Sequence, residues 1–384
     1  MSINAFLAER GESLIALRRD IHAHPELGRS EFRTTALLAD VLADAGLQPQ
    51  TLPQGTGLVC DIGPGAPTVA LRADLDALPV PDTKDVPYRS TVDGVAHACG
   101  HDVHAAVVAG AGLALADLAA RGELGHGVRL VFQPAEEVIP GGALDVIQAG
   151  VIDGIRRIYA VHCDPAVEVG AVRLKSGPLT AASDLLELRL TGPGGHTARP
   201  HLTVDLVAAV GAVITAVPGL LARRADPRSG TTLVWGQANI GTAANVIPTS
   251  GVLRGTVRTL SRATWDVLPP LVAEVVRSVL APYGADVEIA HVRGVPPVVN
   301  DAECVERLSV AAVQVPGAAV AEAVQSLGGE DFAWYLDKVD GALARLGVRA
   351  PGGAALYDLH QSSFDVDERC IGIGASLLAG VASA

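Results

Sequence analysis

Apolar residues recur at helical spacing over residues 3–23, where Phe6, Leu7, Leu14, Ile15, Leu17 and Ile21 fall into register, and again over 30–46, where Gly46 is a natural stop. Short apolar runs follow at 57–62, 68–73, 128–132 and 158–161, with helical spacing near 101–121 and 142–150. Strands alternating with helices predict an α/β fold whose mixed, mostly parallel sheet is flanked by helices. In such sheets, sites collect where loops leave the carboxyl ends of strands. Asp74, Asp76, Glu136, Glu137 and His162 each sit just past one of the predicted strands, so several separate runs deliver metal-capable side chains to the same edge.

The rhythm changes in the middle of the chain. An alternating run at 185–190 is followed by helical spacing at 204–221, strands at 231–239 and 251–259, a helix at 265–280 and a last strand at 286–292. That order is the ferredoxin-like β-α-β-β-α-β unit, and its length is that of a domain. The expected organisation is therefore an inserted domain at 180–293, with 1–179 and 294–384 forming one catalytic domain. The Gly/Pro cluster at 346–353 is expected to be a loop leading to the last motif.

Composition narrows the choice of partners. The chain is 384 residues long, 49% apolar and 18% charged, enough for a substantial core and unlike a disordered chain. Its net charge of −13 argues against nucleic acid or an anionic membrane surface, which demand clustered Lys and Arg. No stretch of about 18 uninterrupted apolar residues occurs, so no membrane span is expected. The polar, amphipathic start lacks the continuous apolar core of a signal peptide. The five cysteines are odd in number and scattered, which fits a reducing compartment better than a disulfide scaffold, and a cytoplasmic location is expected.

The chemistry concentrates in His97-Ala98-Cys99-Gly100-His101-Asp102 and Pro134-Ala135-Glu136-Glu137. A thiol, imidazoles and carboxylates are the donors a borderline-soft divalent metal prefers. Cys99 and His101 would not share a face of a continuous helix, but they converge if Cys99 lies in a turn and His101 opens the helix, which Gly100 permits. Asp102 is a candidate to cap that helix or to orient a ligand imidazole. Adjacent carboxylates point apart, so Glu136 and Glu137 can divide their work, one binding metal and the other serving as general base for water. His162 and His360, taken alone, read more readily as hydrogen-bonded structural histidines than as ligands. His22 and His24 are accounted for by the end of the first helix. The loop Gly192–His201 is glycine-rich and suited to presenting a side chain such as His196.

Together these segments resemble the metallo-amidohydrolases of the aminoacylase/carboxypeptidase superfamily. The subgroup with hippurate hydrolase, N-acyl-amino-acid amidohydrolases and the hydrolases of indole-acetyl-amino-acid conjugates is the most similar. The landmarks run nearly end to end: Arg18 to Glu26, Leu71 to Pro79, His97 to Asp102, Gln133 to Glu137, Gly195 to His201, Asn245 to Pro248, Gly329 to Phe332 and His360 to Asp365. The resemblance implies two divalent metal ions, Zn or Mn with Co or Ni as alternatives, held by Cys99, His101, Glu137, His162 and His360. It implies Glu136 as general base, His196 as a residue of the inserted lid that helps bind the oxyanion, and Asn245 as a substrate contact. Arg258 is a candidate to hold a substrate carboxylate in a bidentate pair. The expected substrate is a small N-acyl-amino acid, and the expected assembly a homodimer through the inserted domain. Cys163 and Gly329 depart from the common pattern without removing a ligand. Three rivals remain: a dipeptidase or carboxypeptidase with the same metal chemistry, an amidase with Cys99 as nucleophile, and a binding protein that keeps the fold.

Overall fold

The computed structural model describes residues 1–352 and 358–384. Its amphipathic start folds as two helices rather than one. Ile3–Glu9 is capped by the Ser2 hydroxyl, and Gly11–Ala23 begins after a break at Arg10, where Gly11 is a poor helix former. Among the described residues, an eight-stranded sheet runs in the order Gln50–Thr51, Leu58–Ile62, Gly127–Gln133, Pro67–Asp74, Arg157–Glu168, Asp340–Arg349, Ala171–Leu174, Ala319–Glu322. Its four central strands pair parallel, from Gly127–Gln133 through Pro67–Asp74 and Arg157–Glu168 to Asp340–Arg349. The neighbouring strands Leu58–Ile62 and Ala171–Leu174 join antiparallel.

The helix His101–Ala120 is apolar on nearly every side because it is enclosed: the helices Gly11–Ala23 and Arg369–Ser383 pack on it, and the sheet lies beneath. Among the described residues it is one of two helices long and apolar enough to cross a membrane, and here it forms the core. The other, Leu206–Arg224, turns Leu206, Ala209, Val210, Val213, Val217 and Leu221 onto its own sheet.

The chain divides into two compact units: Met1–Gly177 with Val299–Val324 and Trp334–Ala384, and Pro178–Val298 with Gln325–Ala333. The second unit holds a four-stranded antiparallel sheet ordered Thr232–Ile240, Ser250–Thr259, Ala182–Thr191, Asp286–Val295. The first strand in sequence thus lies between the third and fourth, as the β-α-β-β-α-β order requires, with helices Leu206–Arg224 and Arg262–Leu280. Buried Asp184 ties this unit together, accepting from Trp265 Nε1 at 2.8 Å, His291 Nε2 at 2.8 Å and the Gly294 N–H at 3.0 Å. Gln325–Ala333 joins it through backbone bonds from Ser326 to Leu179 and from Ala181 to Gly328, a late return that local patterning does not display.

Three local expectations are corrected. Residues 346–349 end the strand Asp340–Arg349, buried by its parallel pairing with Arg157–Glu168, instead of starting a loop. Gly353, at the far end of that expected loop, lies outside the described residues. His162 sits inside Arg157–Glu168, since the pairing with Asp340–Arg349 carries that strand well beyond its apolar run. His22 does more than complement a helix end: its Nδ1 lies 2.7 Å from Asp102 Oδ2, and its Nε2 lies 3.3 Å from Asp82.

The same Asp102 oxygen accepts from Arg18 Nε at 2.6 Å, both side chains being fully buried. Burial alone would raise the Asp102 pKa, but Arg18 and His22 outweigh it and hold the carboxyl well below its ordinary value. A depressed carboxyl stabilises the fold fully above the unfolded value of about 3.9 and loses that contribution as pH falls through the folded value. Arg18→Met strands the Asp102 charge in the core. It should cost about 3–5 kcal/mol in denaturant unfolding at pH 7 and flatten the acid-side decline in stability below about pH 4. An unchanged unfolding midpoint would show that the pair contributes nothing.

Candidate metal centre

Gly100 is the hinge of the site. It stands at the N-terminus of His101–Ala120 with a φ of 87°, a left-handed conformation open to glycine, so Cys99 remains in the turn while His101 opens the helix. A Cβ at Gly100 would come within 2.7 Å of Cys163 Sγ. Asp102 does not cap this helix, because Arg18 and His22 occupy its carboxylate.

Six candidate donors surround the opening turn. Cys99 Sγ lies 3.7 Å from His162 Nε2. His101 Nε2 lies 3.9 Å from Glu137 Oε1 and 4.0 Å from Glu136 Oε2, and His360 Nε2 lies 3.3 Å from Glu137 Oε1. Ligands about a tetrahedral zinc-sized ion stand about 3.3–3.6 Å from one another, so this spacing is close to what an ion needs. Among the described residues neither ring nitrogen of buried His101, nor Glu137 Oε1, has a hydrogen-bond partner, which a native interior rarely tolerates without a ligand or water to satisfy it. Among the described residues five groupings of donors emerge: Cys99 with His101 and His162, Cys99 with Glu137 and His360, His101 with Glu136 and Glu137, Asp74 with His101 and His104, and Glu136 with Glu330 and Asp331; the first two share Cys99.

The surrounding hydrogen bonds set the protonation of the imidazoles. His162 Nδ1 lies 2.8 Å from its neighbour's carbonyl, Cys163 O, so Nδ1 donates and Nε2 presents a lone pair toward Cys99. Burial, reinforced by Arg345, holds its pKa well below the ordinary value and keeps it neutral. His104 Nε2 accepts the Cys163 N–H at 2.9 Å, which leaves Nδ1 to donate to Asp74 at 2.6 Å. Arg72 also donates to Asp74 at 2.6 Å. Burial opposes the Asp74 charge, but His101, Arg72 and His104 prevail and hold its pKa well below normal. The same carboxylate helps hold the His101 pKa well above normal against the effect of burial, with Asp76 and Cys99 contributing. His360, exposed, is raised by the neighbouring Glu137 carboxylate, whose Oε1 lies 3.3 Å from its Nε2. Burial pushes the Cys99 thiol far up, so in the absence of a metal it is a thiol and not a thiolate.

Asp76 organises the two glutamates. Its Oδ1 and Oδ2 accept the N–H groups of Glu136 and Glu137, each at 2.9 Å, and its Oδ1 lies 3.4 Å from His101 Nδ1. The carboxylate positions of Asp74 and Asp76 at the strand end signalled involvement, and His104 stands three residues from His101 on one helical face. What the sequence could not show is their work: they hold the donors in place.

The other sequence-predicted residues lie in the second unit. Gly195–His196 pairs antiparallel with Val246–Ile247, so His196 and Asn245 stand on neighbouring segments, beside a cavity of about 570 Å³ that Thr197, Asp205, Val207 and Ala244 help to line. His196 is exposed, and its Nδ1 accepts the Ala198 N–H at 3.0 Å. Arg258 donates to the Leu327 carbonyl, which anchors the returning segment Gln325–Ala333.

A profile of peptidase family M20/M25/M40 matches residues 70–384. The chain is 50% identical over 362 residues to a Rhodococcus jostii protein named as a candidate glutamate–cysteine ligase, 94% of this chain but 45% of that protein, so it spans less than half the length of that relative. It is 35% identical over 372 residues to an N-acetylcysteine deacetylase of Bacillus subtilis, covering 96% of each chain. Among solved structures it is similar to the Bacillus subtilis YXEP protein, a dinuclear metal-binding peptidase of the M20 family. That likeness has a TM-score of 0.84 and 34% identity, and covers 99% of this chain and 98% of the other.

The geometry around Gly100 makes a direct test. Gly100→Ala must strain its backbone and press on Cys163, moving Cys99 relative to His101. It should weaken metal retention by about 10–100-fold in elemental analysis after dialysis. Gly94→Ala, at a φ of 72° with open space around it, should leave metal content unchanged. Equal retention by both variants would disprove the hinge.

Proposed function

The chain belongs to peptidase family M20/M25/M40, and from that premise we propose that it hydrolyses the amide bond of N-acyl-amino acids, with Glu136 as general base. It is an enzyme, a hydrolase of amide or peptide bonds in a family with dinuclear metal binding. The observation that carries the finer reading is the pair of donor groupings sharing Cys99, with Glu136 beside them and Glu137 within one of them. Cys99, His101, Glu137, His162 and His360 would hold two divalent ions. A mixed thiolate, imidazole and carboxylate set favours Zn or Mn, with Co and Ni acceptable.

When bound, such ions polarise the scissile carbonyl and lower the pKa of water. Glu136 takes the proton of the attacking water and returns it to the departing amine, so that water adds to the carbonyl carbon and the C–N bond breaks with no net proton lost. Asp76 keeps Glu136 and Glu137 on separate tasks by fixing the backbone of both. His196 is assigned to the oxyanion, and Asn245 and Arg258 to substrate contacts. The working assembly is read as a homodimer through the second unit. Five free, buried cysteines support a reducing, cytoplasmic setting.

The N-acyl preference draws support from the deacetylase relative, 35% identical across nearly the whole chain. Peptidase activity on dipeptides is the second reading, favoured by the M20 peptidase likeness at 34% identity. Both use the same centre and differ in whether the acyl group of the substrate carries a free α-amine. The cysteine-nucleophile alternative needs an activated thiolate, and burial drives Cys99 the opposite way.

A panel of N-acetyl-, N-benzoyl- and N-indoleacetyl-amino acids beside matched dipeptides ranks the two readings. Chelation should abolish turnover, and added Mn or Zn should restore it. Glu136→Gln should retain two metals per chain while kcat falls about 10²–10⁴-fold. Undiminished turnover in that variant would remove Glu136 from the role of base, and turnover that survives complete metal removal would return Cys99 to consideration as nucleophile.

A further inference from the structure

The segment after the first histidine motif, Gly28-Arg29-Ser30-Glu31, has no role in the chemistry above, yet it grips the loop that carries Glu136. Glu31 is fully buried, and its Oε1 accepts the Ala135 N–H at 2.7 Å. Ala135 has a φ of 59°, a left-handed conformation that a non-glycine residue keeps only when its surroundings impose it. Three consecutive N–H groups are thereby held by two carboxylates, Ala135 by Glu31, and Glu136 and Glu137 by Asp76. On the carbonyl side, the Gly142 N–H donates to Ala135 O at 2.8 Å. Gly28 lies so close that an added Cβ would sit 3.2 Å from Asp76 Oδ2 and 3.3 Å from the Ala135 Cα. Arg29 completes the hold, donating to Pro140 O at 2.9 Å and to Asp145 at 2.7 Å.

The helix that follows does not explain Glu31. It stands at the N-terminus of Phe32–Asp44, but its side chain makes no capping bond there, and glutamate is not a favoured residue at that position. Its backbone is pinned instead, since the carbonyl accepts from the Thr35 N–H at 3.0 Å and the Thr35 hydroxyl at 2.6 Å. A buried carboxylate with one oxygen unpartnered is a costly way to fill space, and an apolar side chain would pack there without that cost.

We infer that Glu31 is a positioning residue for Glu136: by accepting the Ala135 N–H, it fixes the strained turn from which Glu136 addresses the reacting water. The inference rests on Glu136 being the general base, while the contact itself can be tested without that assumption. Glu31 touches neither substrate nor metal, so its removal should change kcat and leave metal content and KM alone.

Glu31→Ala and Glu31→Gln, loaded with metal, are compared with wild type on the best substrate of the panel, with amide hydrogen exchange followed in the peptide containing Ala135. For Glu31→Ala, kcat should fall about 10–100-fold, KM should stay within about threefold and metal content should be unchanged, while the Ala135 peptide exchanges faster. Glu31→Gln keeps a carbonyl acceptor of the same length and should hold kcat within about threefold of wild type. Should the alanine variant fail to fold, Glu31→Asp, shorter by one methylene, should show the same loss of kcat in a folded protein. A folded Glu31→Ala with full kcat overturns the inference, as does metal loss matching the loss of rate, or a glutamine variant as slow as alanine. If wild type cleaves no member of the panel, the proposed function fails on its own, and the exchange experiment still decides for Glu31: unchanged protection at Ala135 refutes the contact.

Discussion

The buried pair of Arg18 and Asp102 is the constraint on which the arrangement of the site depends. Asp102 follows His101 directly in the first turn of the long core helix, where a negative charge also complements the helix dipole. Arg18 reaches it from the second N-terminal helix and also lies 3.2 Å from both Asp365 and Glu368, which come between His360 and the C-terminal helix. One guanidinium therefore ties together the start of the chain, the helix that presents His101 and the segment that follows His360. A pair of this kind recovers the desolvation of its charges only when geometry and additional hydrogen bonds are good. Here His22 supplies one of them, so the cost is met by a network that also fixes register among three distant segments.

The polar interior around the carboxyl edge of the sheet falls into two classes. Asp74, Asp76, His22, His104 and one oxygen of Asp102, Oδ2, are satisfied by one another, by Arg18, Arg72 and backbone N–H groups. Asp102 Oδ1, both His101 nitrogens and Glu137 Oε1 are equally enclosed but have no hydrogen-bond partner among the described residues. The difference has physical content, because a fold that satisfies one set so thoroughly could have satisfied the other. His162 shows the same design at finer scale: one ring nitrogen is committed to a backbone carbonyl so that the other is left available. Asp74 and Asp76 hold His101, His104 and the Glu136–Glu137 backbone in fixed orientations.

How much of this was legible in the sequence depends on how local the cause is. The alternation of apolar runs pointed to the α/β sheet and to the strands and helices of the four-stranded sheet, because period and turn residues act over short spans. The meeting of Cys99 and His101 was readable from Gly100 alone. The return of Gln325–Ala333 to the second unit was not, since it rests on backbone bonds to Leu179 and Ala181 across more than a hundred residues. His22 and Asp102 looked like helix-end residues, and only the approach of two distant helices made them partners. Residues 346–353 resemble a loop because Gly347, Pro351, Gly352 and Gly353 cluster there, whereas at Gly347 close pairing in the sheet favours a residue without a side chain. An added Cβ at Gly347 would stand 2.1 Å from the Glu168 carbonyl. Glu31 gave no signal at all, for a carboxylate at a helix start is ordinary until its partner is known.

Strain is distributed unevenly around the donors, and the asymmetry bears on chemistry. Cys99, His101 and His162 are buried on regular elements or the glycine turn between them, so their positions follow from the packing of the core. Glu136, Glu137 and His360 come from loops, and the loops hold non-glycine residues in the left-handed region, Ala135 with a φ of 59° and His360 with a φ of 64°. Each such residue costs about 1–3 kcal/mol and persists only where neighbours over-determine it. For His360 the restraint is an N–H bond of 2.8 Å to Ala98 O, the residue before Cys99, which couples the strained loop to the rigid side. For Ala135 it is Glu31. A centre built this way has a floor set by the core and an opposite wall set by restrained loops, and the wall carries the more exposed donors. The Glu136 loop joins the two features, since its hydrogen bonds to Asp76 fix the backbone while the Glu136 side chain, 11% exposed, stays largely enclosed at the edge of the donors.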